Sequence, residues 1–221
     1  MPKMWRGDEP ELVQYVDHMG DDDAVCDAAR VSMAKTSDLF TVNQNHRLIA
    51  YLAKHNHWSP FSHCQVKFRF KAPIFVARQL QKHQVGFSWN EVSRRYVNEE
   101  PEFWMPLNLR PKADNVKQGS SDAVHPASDI YKLDLDNMYH YATSVYSQMV
   151  AEGICAEQAR AVLPQAMMTE WIWTGSLYAW ARMHALRSES HAQREVQFYA
   201  SRIDEEMTRL FPISWSALKD V

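Results

Sequence analysis

The strictest constraint on the fold lies in Gln65-Val66-Lys67-Phe68-Arg69-Phe70-Lys71, where apolar and charged side chains alternate without a slip. Successive side chains of an extended strand point to opposite faces, so a period of two describes a strand with one apolar and one wet face. Pro73 follows, and proline fits the first helical turn, where its missing N–H costs nothing. The pattern predicts a helix from Pro73 to about Gln84, broken at Gly86.

Other elements are fixed by the same rules. Leu12–Val16 suits a short strand closed by Met19-Gly20-Asp21-Asp22. Ala24–Val31 is alanine-rich and reads as helix. Asn45–Lys54 is an amphipathic helix with Leu48, Ile49 and Leu52 on one face, stopped by Pro60. Ser88-Trp89-Asn90-Glu91 suits a capping box opening another turn, or a loop. Asn108–Ser128, with Pro111, Gly119, Ser120, Ser121 and Pro126 and no periodicity, reads as a surface insertion or a lid.

Helical patterns resume at Leu133–Ala151 and Ala156–Leu163, where Pro164 intervenes. Met168–Trp173 can form a strand, and Ser176 can cap a helix to about Leu186. Ser190 with Gln193 reads as a capping box leading a helix to about Leu210, before Pro212. Strands early and helices late define an α+β protein, a twisted antiparallel sheet packed with helices and a helical C-terminal half. At 221 residues a single domain spanning 1–221 is expected, with 108–128 inserted.

Composition excludes several classes. Hydrophobic residues make up 46% and aromatics 12%, the profile of a folded protein. A net charge of −3 exerts no global pull on nucleic acid or on an acidic membrane, so any phosphate affinity must be local. With six glycines, neither a Walker nor a dinucleotide glycine pattern occurs. Cys26, Cys64 and Cys155 are scattered and never form a C-x-x-C pair, which argues for a reducing compartment and for small apolar side chains in a core. Met1-Pro2-Lys3-Met4-Trp5-Arg6 lacks an apolar signal core, and no run approaches the roughly 18 apolar residues of a membrane span. A soluble cytoplasmic protein is expected.

The chemistry concentrates between Arg78 and Tyr96. Cations (Arg78, Lys82, Arg94, Arg95), amides, hydroxyls, His83, Glu91 and flat aromatics alternate around Gly86, as a phosphorylated heterocycle would require. A solvated basic helix face explains Arg78 and Lys82, four apart, but explains Asn90, Glu91, Ser93 and Arg95 poorly. Arg160 and the group Arg182, Arg187, Ser188, Glu189, Ser190, His191 and Gln193 add polar density. His55, His57 and His63 match no zinc spacing, so no metal is expected. No cysteine sits in a nucleophile motif and no G-x-S-x-G is present. Trp171, Trp173 and Trp180 read as core or subunit contacts. A single-stranded nucleic-acid module, stacking bases on Phe87, Trp89 and Tyr96, is the reading from another class; the net negative charge opposes it.

The block Arg78-Gln79-Leu80-Gln81-Lys82-His83-Gln84, then Asn90-Glu91-Val92-Ser93-Arg94-Arg95-Tyr96, resembles the signature of the flavin-dependent thymidylate synthases. Ala28-Ala29-Arg30-Val31-Ser32, His55-Asn56-His57-Trp58-Ser59-Pro60-Phe61, Lys71–Gln79, Ala159–Pro164 and Leu186–Gln193 resemble family segments in the same order. The chain departs where Lys82 and Gln84 replace two signature arginines and eight residues, not seven, precede Ser93. Lysine keeps the charge without the planar fork. Ser176, Tyr178 and Arg182 stand where many relatives have asparagine, arginine and asparagine.

The resemblance implies reductive methylation of dUMP to dTMP, with methylenetetrahydrofolate and NADPH as co-substrates, FAD as cofactor and no enzyme cysteine nucleophile. It implies dUMP contacts from Gln79, Lys82, Glu91, Val92, Ser93, Arg94, Arg95, Arg160 and Arg187, with Arg187 catalytic at the uracil edge. It implies FAD contacts from Ser32, His57, Ser59, Lys82, His83, Gln84, Glu91, Ser176, Tyr178 and Arg182, His57 also being a candidate for folate. A homotetramer is implied, with no nucleic-acid or membrane partner. The altered signature leaves a second expectation, a flavoenzyme of the same fold acting on a modified pyrimidine nucleotide.

Overall fold

The computed structural model describes residues 2–6, 12–97, 99–113 and 119–220. Strands β1 (Met4–Arg6) and β2 (Val13–Met19) precede helices α1 (Asp22–Arg30), α2 (Val42–Lys54) and α3 (Ser59–Ser62). Then follow β3 (Gln65–Pro73), α4 (Ile74–Leu80), β4 (Phe87–Glu91) and β5 (Phe103–Met105). Beyond β5 the described residues carry α5 (Ser128–Ala151), α6 (Ala156–Ala159), β6 (Met168–Ser176), α7 (Leu177–Arg187), α8 (Arg194–Leu210) and α9 (Pro212–Lys219). The α+β class and the helical C-terminal half are as expected. Strands β2-β3-β6-β4 form one sheet, and β1 pairs β5 in parallel.

Two compact units divide the chain: Met1–Leu12, Lys71–Gln79 and Glu91–Trp171 form one, and Val13–Phe70, Leu80–Asn90 and Ile172–Val221 the other. In the second unit β2 and β3 run antiparallel, Val13 opposite Phe70 and Met19 opposite Gln65, with a bulge between Tyr15 and Asp17. The alternation of β3 is realised as expected, because Val66, Phe68 and Phe70 are fully buried. Burial of side chains this size contributes roughly 1.5–3 kcal/mol each.

Aromatic rings interlock there. Phe68 meets Trp180 edge-on at 5.1 Å, and Trp173 lies 5.6 Å from Phe70 and 4.7 Å from Trp180. Trp171, Trp173 and Trp180 are therefore core residues, at 2% exposure or less. Helix ends are tied by carboxylates: Asp21 accepts from Ala24 N at 2.8 Å, and Asp22 accepts from Ile213 N and Ser214 N at 3.0 and 2.8 Å. In the first unit, Phe103 stacks on Tyr139 at 4.7 Å, and Trp5 Nε1 donates to Glu102 at 2.7 Å.

Several boundaries differ from the sequence reading. Pro73 ends β3 instead of opening a helix, and α4 stops at Leu80. Beyond Leu80 the polar run Gln81–Gln84 offers no apolar side chain to bury, so packing cannot extend the helix. Residues 88–91 form β4, not a capping-box turn. Pro60 lies within α3; α2 ends at Lys54, and its cap is a Thr41–Gln44 box. Ala156–Leu163 breaks at Arg160 into a 3-10 turn. Gln193, not Ser190, occupies the N-cap of α8 and makes no side-chain cap bond. Between Asn108 and Ser128 the described residues make one isolated bridge, Lys112 with Ser120; residues 114–118 of the expected insertion lie outside the described residues.

Candidate functional site

In the second unit the early stop of α4 places Lys82, His83 and Gln84 in a turn that ends at Gly86. Gly86 has φ +81°, and a Cβ there would come within 2.9 Å of Ala179 Cβ. The turn is thus pressed on the first turn of α7, where Ser176 N donates to the Gly86 carbonyl at 3.1 Å. Ser176 is buried, and its Oγ caps α7 by accepting from Ala179 N at 3.2 Å. Phe87 lies 4.5 Å from Trp173 and 4.8 Å from Trp180, over Gly175, where a Cβ would sit 2.3 Å from the ring. Glycine is needed at 175 for space.

His83 and Arg187 meet in the same unit, Arg187 Nε donating to His83 Nε2 at 2.9 Å. Burial, then the charges of Arg187 and Arg182, hold the imidazole down at about 4, so His83 is neutral at pH 7 and can accept. Lys82, Gln84 and Arg182 are exposed. His57 and Ser59, also exposed, follow Asn56, whose Oδ1 accepts from Tyr178 OH at 2.8 Å. The rings of Trp58 and Tyr178 lie 6.3 Å apart. Ser32 lies in the exposed 3-10 turn Val31–Met33, and no hydrogen bond among the described residues ties its side chain to the others.

The first unit gathers the rest. Thr169 Oγ1 donates to Glu91 Oε1 at 2.6 Å, and Val92 N to Glu170 O at 2.8 Å. Ser93 organises a turn, its carbonyl accepting from Tyr96 N at 3.0 Å and its Oγ from Arg95 N at 3.3 Å. Arg94 Nη1 donates to the Glu99 carbonyl. Glu157 joins two cations: its carboxylate pairs with Arg95 Nε at 2.5 Å, and its carbonyl accepts from Arg160 Nε at 3.3 Å. Gln79 is half-buried on α4. Asn56, Glu157 and Thr169 were not singled out by sequence. Asn56 alone carried a signal, since asparagine tolerates the left-handed region where a helix ends.

The fold and these side chains define an α+β protein that presents arginines, a lysine, amides and exposed aromatic faces, a set suited to anionic ring compounds. A family model described as "Thymidylate synthase complementing protein" matches residues 12–213. A flavin-dependent thymidylate synthase of Thermosipho africanus is 38% identical over 197 residues, covering 87% of this chain and 83% of the relative. One from Thermus thermophilus is 37% identical, covering 95% and 76%. Among solved structures, a UMP/dUMP methylase PolB from Streptomyces cacaoi bound with 5-Br dUMP superposes with a TM-score of 0.82 at 31% identity, covering 94% of both chains. The 5-Br UMP form gives 0.86 at 27% identity, covering 99% and 96%. The chain belongs to the flavin-dependent thymidylate synthase family.

Proposed function

We propose that this enzyme methylates dUMP reductively to dTMP, taking the carbon from methylenetetrahydrofolate and the reducing equivalents from NADPH. The observation that carries this reading is retention of Glu91, Ser93, Arg95, Arg160 and Arg187, in family order, within a match spanning residues 12–213. FAD is the cofactor proposed, and the donor set fits it: cationic Lys82 and Arg182, the Ser59 hydroxyl, the His57 imidazole and the Trp58 ring are all exposed. When bound, the flavin supplies hydride transfer.

The chain's own residues bind and orient. Arg95 and Arg160 take the nucleotide phosphate, each charge-assisted bond contributing about 1.5–3 kcal/mol, so the two account for much of a micromolar affinity, and Lys82 is a further proposed dUMP contact. The Glu157 carboxylate holds Arg95, and phosphate takes over that guanidinium. Gln79, Glu91, Val92, Ser93 and Arg94 complete the dUMP contacts. Arg187 lies at the uracil edge and stabilises the negative charge that develops on N3 and O4 as C5 becomes nucleophilic. Ser32, His57, Ser59, His83 and Gln84 face the flavin; Ser176 acts there through the backbone it caps, and Tyr178 through its hydrogen bond to Asn56. Catalysis without an enzyme thiolate is supported by the thiols of Cys26 and Cys64, which burial pushes up to about 11 and about 12.

The protein associates as a homotetramer in this reading, supported by the apolar side chains that α5 exposes, Ile130, Tyr131, Leu133, Met138 and Tyr141. Light scattering at micromolar concentration tests it, and a monomer contradicts it. The naming of PolB as a UMP/dUMP methylase favours a second reading, in which UMP is also an acceptor. Turnover of dUMP and UMP, measured side by side with the full set of co-substrates, separates the two.

A further inference from the structure

Asn56 ends α2 in a left-handed conformation, φ +53°. Its own N–H donates to the Ala53 carbonyl at 2.9 Å, and His57 N donates to Leu52 O at 2.8 Å. These two bonds are a Schellman closure, a position at which glycine is the favoured residue. Asparagine also adopts this conformation, and unlike glycine it brings a side chain with a second use. The Asn56 side chain reaches α7, where Oδ1 accepts the Tyr178 hydroxyl across 122 positions of sequence.

The residues that follow Asn56 are His57, Trp58 and Ser59. Trp58 N donates to the Asn56 carbonyl at 3.0 Å, so the orientation of this one residue sets the start of the loop. The Trp58 ring, 55% exposed, is tilted by 41° against that of Tyr178. One hydrogen bond therefore joins the loop bearing two proposed flavin contacts to the first turn of α7.

We propose that Asn56 and Tyr178 form a latch that positions His57 and Ser59 for the flavin, Tyr178 acting through this bond as a positioning residue. The proposal rests on the flavin reading given above. It separates two roles of residue 56, because glycine keeps the helix closure and removes the acceptor. Aspartate keeps the acceptor.

The test is a fluorescence titration of FAD into the full-length protein and into Tyr178→Phe, Asn56→Gly, Asn56→Asp and the Tyr178→Phe/Asn56→Gly pair, with thermal unfolding of each. One neutral hydrogen bond predicts about a three- to tenfold loss of FAD affinity in Tyr178→Phe and in Asn56→Gly. The pair should lose no more than either alone, Asn56→Asp should bind as the parent does, and Asn56→Gly should unfold no earlier than the parent. A purely structural Asn56 would leave FAD affinity unchanged in Asn56→Gly; that result, or losses that add in the pair, overturns the latch while the functional reading stands. Failure of the parent protein itself to bind FAD overturns both.

Discussion

At Arg187 the charge and its direction come from different residues. The guanidinium is always cationic, but its Nε is held by His83, which must be neutral to accept. Arg187→Ala should lower turnover by about two to three orders of magnitude while the purified variant keeps its flavin spectrum; near-normal turnover in steady-state assays would remove the electrostatic role. The same bond has a pH signature. Unfolded, His83 protonates near 6.5, whereas folded it resists to about 4. Its contribution to stability is intact above the upper value and is lost as pH falls through that window. His83→Gln should therefore show a shallower fall in melting temperature than the parent between those two pH values, and parallel curves would contradict the assignment. Thiol chemistry provides a further check at this scale, because Cys26 and Cys64 are buried and Cys155 is exposed. A thiol reagent should modify Cys155 in the native protein and reach the other two after denaturation, as mass spectrometry of the labelled peptides would show.

At the scale of elements, the anchor at Gly175 is the sharpest point. A methyl group there would collide with Phe87, and the ring cannot swing aside because Trp173 and Trp180 enclose it. Gly175→Ala should cost about 1–3 kcal/mol in denaturant unfolding, with part recovered by Phe87→Leu, which shortens the opposing side chain. No rule on turn residues or periodicity could have found this pair, since it depends on a contact across 88 positions of sequence. The strand β3 was legible because its inward side chains alternate without a break, and α7 because Ser176 supplied the cap. β4 was misread for the opposite reason. Ser88 and Glu91 imitate a capping box, while the weaker alternation, with Phe87 and Trp89 half-buried and Ser88 and Asn90 exposed, carried the right answer. Likewise β1 and β5 are three residues each, too short for any period to register.

At the scale of the whole molecule, the site residues named from sequence divide between the two compact units. Most of those assigned to the flavin, with Arg187, fall in one, and most of those assigned to dUMP fall in the other. The side-chain types were legible in the sequence; their local partners, such as Glu157 for Arg95 and Asn56 for Tyr178, were not, because a hydrogen bond over long separation leaves no periodic trace. Arg95→Ala should weaken dUMP binding about tenfold or more, by loss of a charge-assisted bond, and leave FAD retention intact in equilibrium titrations. Equal loss of both ligands would mean a folding defect. The central claim is that a nucleotide acquires a methyl group here from folate carbon without an enzyme thiol. Its most direct test is mass spectrometry of the nucleotide after the Cys26→Ala/Cys64→Ala/Cys155→Ser variant meets dUMP, methylenetetrahydrofolate, FAD and NADPH. The account predicts dTMP, heavier than dUMP by one methylene unit, formed by the folded variant as by the parent; unchanged dUMP from the parent protein with both ligands bound, or product from the parent and none from a folded variant, would contradict it.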